Sequence, residues 1–179
     1  MLLRVATSAD VPALGRLIES SVRGLSAGYY TAEQVDAALT HVFGVDSQLI
    51  ADGTYYLVDG SSGPAAAGGW SGRRTLYGGD QLKDTEDPLL DPATEPARIR
   101  AFFVHPEWAR RGLGRRIFAE CASAAAAAGF RRLELMATLP GEPLYVALGF
   151  SPVERITLAL AGGVDVPFTR MTRSLDPPS

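Results

Sequence analysis

Between Ile99 and Ala137 the sequence alternates strand, glycine–arginine turn, helix and strand, and no other feature constrains the fold as strongly. The apolar run Ile99 to Val104, broken only by Arg100, predicts a strand that stops at His105-Pro106. An alanine-rich helical pattern then runs from about Gly112 to Ala128, with Gly129 as a left-handed C-cap, and Leu133 to Ala137 predicts the next strand. The joint between first strand and helix reads Arg110-Arg111-Gly112-Leu113-Gly114-Arg115-Arg116. Glycines let a backbone approach a ligand closely, a helix N-terminus adds partial positive charge, and arginine adds full charge. Such a joint suits a diphosphate; it equally describes an ordinary turn with solvated arginines.

The flanking sequence extends the same α/β pattern. Leu2 to Ala6 predicts a first strand, and Ser8 or Asp10 caps a helix with Pro12 in its first turn. Val11, Leu14, Leu17, Ile18 and Val22 give that helix one apolar face. Thr31-Ala32-Glu33-Gln34 is a capping-box signature for a second helix to about Val42. Thr54 to Val58 and Ala65 to Ser71 read as paired strands around a turn at Asp59 to Gly63, with Arg74 to Tyr77 extending the second. Gly78 to Pro96 is an acidic loop holding Asp80, Asp84, Glu86, Asp87, Asp91 and Glu95, with Lys83 its only base. Loops this long are binding loops or mobile segments, and the mobile reading is preferred here. Pro143 opens a short helix that ends at Gly149-Phe150, and Val153 to Leu160 forms a hairpin with Val164 to Met171 around Gly162-Gly163. Residues 1–175 are expected to form one domain, and 176–179 a disordered tail.

At 179 residues, 46% hydrophobic and 21% charged, the chain can bury a core without staples. A net charge of −3 argues against a general nucleic-acid binder. Cys121 is the only cysteine, so an internal disulfide is excluded; it falls in the alanine-rich helix and is read as a small core hydrophobe. The N-terminus lacks the pattern of a signal peptide and no apolar run reaches about 18 residues, so a cytoplasmic protein without membrane spans is expected.

A second motif, Leu144-Tyr145-Val146-Ala147-Leu148-Gly149-Phe150, comes after the arginine–glycine joint by one helix and one strand. Strand, Arg-Arg-Gly-Leu-Gly, helix, strand and Tyr-x-x-x-Gly-Phe, in that order, resemble the GNAT superfamily of acyl-CoA-dependent N-acyltransferases. The resemblance is strongest from Ile99 to Phe150 and rests on element order from Leu2 to Ser71. It implies an α/β fold, a twisted mixed sheet of about seven strands with helices on both faces. It also implies acetyl-CoA as co-substrate, its pantetheine arm lying against main-chain groups of Phe102, Phe103 and Val104 like an added strand. The diphosphate would rest on N–H groups of Arg110, Arg111, Gly112, Leu113, Gly114 and Arg115, with the arginines adding charge. Ala109 stands where the family pattern usually has Arg or Gln, and Arg110 offsets this.

By the same resemblance, Tyr145 is the general acid that protonates the departing thiolate; otherwise it is a core aromatic. The attacking amine must be neutral, and Glu134 resembles the position of a base in many relatives, although it also reads as a solvent-facing strand residue. His41 and His105 read as a dipole contact and a cap. The acceptor groove would draw on Tyr29, Tyr30 and Trp70, which suit either a cation or a core. Transfer would be direct and no metal is implied, since neither a nucleophilic cysteine nor a serine elbow is present. The expected activity is acetyl transfer to an amine of a small molecule or protein, with a homodimer left open. The alternative is a catalytically silent acyl-CoA-binding sensor or regulatory module. A Rossmann-type dinucleotide domain is disfavoured, because its three-glycine turn belongs early in a βαβ repeat.

Overall fold

The computed structural model describes residues 1–83 and 86–176. Its strands are β1 (Leu3–Val5), β2 (Tyr55–Gly60), β3 (Gly63–Ser71), β4 (Ala97–Val104), β5 (Arg132–Thr138), β6 (Ser151–Leu160) and β7 (Val164–Ser174). Its helices are α1 (Val11–Leu25), α2 (Ala32–His41), α3 (Ser47–Asp52), α4 (Leu113–Ala127) and α5 (Glu142–Ala147). The seven strands form one mixed sheet in the order β1-β2-β3-β4-β5-β7-β6. All neighbours pair antiparallel except β4 and β5, which are parallel and joined through α4. Among the described residues no helix is long and apolar enough to cross a membrane.

Strand alternation divides the core into two layers. Tyr55 and Leu57 of β2 face α1, where Leu14 and Leu17 meet them. Val58 of β2, with Leu133 and Leu135 of β5, faces Ile117, Phe118 and Cys121 of α4. Each fully buried aliphatic side chain contributes about 1.5–3 kcal/mol, so these two helix faces clamp the sheet from opposite sides. α2 closes the first layer further along, its Val35 packing with Val166 and Phe168 of β7. The Thr31 hydroxyl accepts from Gln34 N and the Gln34 side chain accepts from Thr31 N, completing the expected capping box.

Three elements differ from the sequence reading. Arg74 to Tyr77 does not extend β3; Arg73 makes a lone bridge with Leu89 and the chain turns away. α3 was not anticipated, because six residues are too few for a helical period; Asp46 caps it by accepting from Gln48 N and Leu49 N. The acidic segment is strapped to the body over its described part. Asp80 accepts from Ser47 N and Oγ, Asp87 from Thr75 N, and Leu90 is buried with its N–H on Gly72 O. Asp84 of that segment, and the tail beyond Asp176, lie outside the described residues.

Candidate active site

The site begins where two parallel strands part. β4 and β5 pair only at Ala97 with Leu133 and Arg98 with Glu134; beyond those positions β4 keeps β3 and β5 keeps β7. A bulge drives the divergence. Ala67 faces Phe103 and Gly69 faces Arg100, so three steps of β4 span two of β3. Ala101 takes a φ of 55° there, a strained conformation for an L-residue, and the Tyr55 hydroxyl donates to its carbonyl at 3.2 Å. The extra residue reverses the facing of the rest of the strand. Ala97 and Ile99 pack toward α4, and so do Phe102 and Val104, whereas Ala101 and Phe103 turn to the α1 side. Phe102 lies across Gly68, where even a methyl group would sit 2.7 Å from its ring.

Main-chain direction along β4 is fixed by pairing. Phe103 pairs with Ala67, and His105 N donates to Ala65 O, so the polar groups of Phe102 and Val104 point toward the gap. Val104 N meets Ser21 Oγ there at 3.2 Å. Phe103, expected to offer main-chain groups to the cofactor, gives them to β3; its ring packs edge-on against Phe43 at 5.9 Å.

A cleft of about 710 Å³ runs through the gap and is lined by residues from both faces of the sheet. At its α4 end lies the arginine–glycine turn. Arg110 has a φ of 61° and Gly112 a φ of 79°, and this pair of left-handed residues curls the backbone around the start of α4. Among the described residues, no N–H from Arg110 through Arg115 finds an acceptor; the first to do so is Arg116 N, on Gly112 O. Such a row of unpaired donors at a helix N-terminus is an anion cradle. Arg110, Gly112, Leu113, Gly114 and Arg115 line the cleft. Arg111 does not; its guanidinium stacks over Trp108, 4.9 Å from the ring centre. His105 is the expected cap, its Nδ1 accepting from Glu107 N.

Tyr145 lines the cleft from α5, between the rings of Phe102 and Phe150 at 6.2 and 5.9 Å. Burial in this apolar setting pushes its phenol above the ordinary range, so it stays protonated. Among the described residues no group bonds its hydroxyl, and a proton donor therefore lines the cleft without a partner.

The other expected site residues separate. Glu134 is not brought to the cleft; it lies at the base of the strand split, between Arg98 at 3.2 Å and Arg170 at 3.3 Å. Two arginines engage it in a mostly buried ion-pair network. Tyr29 lines the cleft and is half exposed. Tyr30 does not: its hydroxyl donates to Pro167 O at 2.6 Å and accepts from Leu139 N at 3.0 Å, tying α2 to the sheet. Trp70 points to the opposite layer, edge-on to Phe130 at 6.1 Å, because alternation along β3 places it there.

Sequence reasoning missed the far wall of the cleft. Leu76 to Gly79 form it, held by a buried ion pair in which Arg100 donates to Asp46 at 2.7 Å. Arg100 also donates to the Thr75 and Gly78 carbonyls, and Lys83 reaches Asp46 from the strap. The lone charge of Arg100 inside an apolar strand was the available signal; Asp46 carried none.

The stretch 79–152, which holds both the cradle and Tyr145, matches the model of the acetyltransferase (GNAT) domain. No curated protein matches the chain in sequence. Solved structures match throughout its length. A GCN5-related N-acetyltransferase from Rhodopseudomonas palustris is 20% identical, with a TM-score of 0.70 over 97% of this chain and 94% of that one. The paiA N-acetyltransferase of Thermoplasma acidophilum, in complex with coenzyme A, is 12% identical, with a TM-score of 0.64 over 97% and 98%. The ribosomal-protein-S18-alanine N-acetyltransferase of Escherichia coli is 14% identical, with a TM-score of 0.60 over 99% and 96%. The fold is that of the GNAT acetyltransferases, and residues 79–152 are similar to the acetyltransferase (GNAT) domain.

Proposed function

We propose that the chain is an acetyl-CoA-dependent N-acetyltransferase that transfers the acetyl group directly to an amine. One observation carries the reading: a row of unpaired N–H donors from Arg110 to Arg115 stands on a cleft that is also lined by the protonated, unpartnered Tyr145. The coenzyme A complex of the Thermoplasma acidophilum neighbour supports it.

The cradle N–H groups, with Arg110 and Arg115, would hold the diphosphate, and the main-chain edge of Phe102 and Val104, where Val104 N meets Ser21 Oγ, would hold the amides of the pantetheine arm. The thioester supplies the activated acetyl carbon. As the amine nitrogen bonds to that carbon and the carbon–sulfur bond breaks, the Tyr145 hydroxyl gives its proton to the leaving sulfur, and the phenolate takes a proton back from solvent once the thiol has left. Phe102 and Phe150 keep water from the phenol and so keep it neutral until transfer. The nitrogen sheds its own proton to water at the open acceptor side.

Calorimetric titration with acetyl-CoA, with NADH as control, tests the cofactor: saturable binding of acetyl-CoA alone is expected, and absence of binding would sink the assignment. Tyr145→Phe should then lower turnover about 10²-fold while acetyl-CoA affinity stays within about two-fold. Equal loss of both would make Tyr145 structural.

A further inference from the structure

We infer that the acceptor end of the cleft takes a primary amine carried on a small aromatic body, and that it rejects polycations and lysine-rich peptides. This rests on the acetyl-transfer reading above and names the substrate class for that site. On the α1 side the cleft is walled by Val22, Leu25, Tyr29, Phe43, Leu76 and Tyr77. Phe43 is fixed edge-on between Phe103 and Phe168, at 5.9 and 6.0 Å, so it presents a rigid apolar surface. Three aromatic rings around one opening favour an aromatic guest by offset and edge-on contact.

Charge excludes the alternative. Among the described residues lining the cleft there is no Asp, Glu or His, and the charged ones, Arg100, Arg110 and Arg115, are all positive. The nearby carboxylates are already engaged. Asp46 is fully buried against Arg100 and Lys83, and Asp80 accepts from Ser47. Glu134 pairs with Arg98 and Arg170, and Glu142 with Thr169 and Arg155. A second ammonium on the substrate would therefore lose its water among apolar walls with no anion to receive it, near the like charge of Arg100. Arg100 does not recruit a substrate carboxylate either, because Asp46 and two backbone carbonyls take up its donors.

The test compares 2-phenylethylamine with 1,4-diaminobutane, by calorimetric binding to the coenzyme A-loaded protein and by release of free thiol from acetyl-CoA. The aromatic amine should bind at least ten-fold more tightly and show at least ten-fold higher kcat/KM. Leu76→Glu, which places a carboxylate in the wall, should narrow or reverse that preference. Tyr29→Ala, at a half-exposed position that leaves the fold intact, should weaken the aromatic amine several-fold without changing coenzyme A binding. Equal or tighter binding of the diamine, or binding of neither amine, would overturn the inference. Failure of acetyl-CoA to bind would instead overturn the acetyl-transfer reading; amine preference measured on the unloaded protein would still judge the acceptor wall by itself.

Discussion

Tyr145 shows what burial does to one functional group. Its neighbours are Phe102 and Phe150, burial raises its pKa, and among the described residues the ionisable group that bears on it is the buried Cys121. A phenol with a raised pKa remains a donor past the ordinary tyrosine value of about 10, so it contributes no falling limb to the rate below that pH. The amine supplies the rising limb, since only its neutral form attacks. With 2-phenylethylamine, kcat/KM should climb about ten-fold per pH unit above neutrality and not decline before about pH 10. A bell with its falling side below pH 9 would assign the proton donor to another group. Tyr30, its sequence neighbour Tyr29 and Trp70 looked alike as candidates in the sequence. Which of them meets the cleft depends on a hydroxyl bonded to Pro167 O and on the facing of β3, neither of which is local.

At the scale of elements, the turn before α4 was legible because its chemistry is local. Glycine at a φ of 79° and donors left free by helix geometry follow from a few consecutive residues. A Cβ at Gly112 would meet nothing within 4 Å, so Gly112→Ala acts through backbone strain alone. It should cost about 1 kcal/mol in holding the cradle, read as roughly five-fold weaker acetyl-CoA binding by calorimetry, with little change in kcat. The bulge in β4 was not legible. Ala101 is an ordinary strand residue in sequence, and its positive φ is sustained from outside by Tyr55 and by the register of β3. Tyr55→Phe removes that one hydrogen bond and should lower stability by about 1 kcal/mol in denaturant unfolding. It should also lower turnover, because the bulge sets where Phe102 and Val104 face. Unchanged turnover at reduced stability would mean that the bulge holds itself.

Across the whole molecule, one buried cluster joins the sheet, α3 and the strap. Asp46 caps α3, accepts from Arg100 and holds Lys83, while Arg100 reaches the Thr75 and Gly78 carbonyls. Burial pulls the Arg100 guanidinium below its usual range, yet the group is retained as a cation by Asp46. Asp46→Asn keeps a capping oxygen but leaves Arg100 an uncompensated buried charge. The expected loss is about 3–5 kcal/mol, a melting temperature lower by roughly 6–20 °C in a chain of this size. Asp46→Leu with Arg100→Met should recover part of that loss, which a purely local capping defect would not.

Sequence alone determined what short-range physics controls: the order of the strands and of every helix but α3, the Thr31 cap of α2, the arginine–glycine turn before α4, and the tyrosine five residues before Phe150. These arise from apolar periodicity, glycine at left-handed positions and helix-end donors, each confined to a few neighbouring residues. Tertiary structure alone decided which side chains share the cleft. It set Glu134 between two arginines, turned Trp70 to the far layer, gave the main chain of Phe103 to β3 and walled the acceptor end with Leu76 to Gly79. Those outcomes depend on the splay of β4 from β5 and on an ion pair between positions 46 and 100, contacts whose partners lie far apart along the chain.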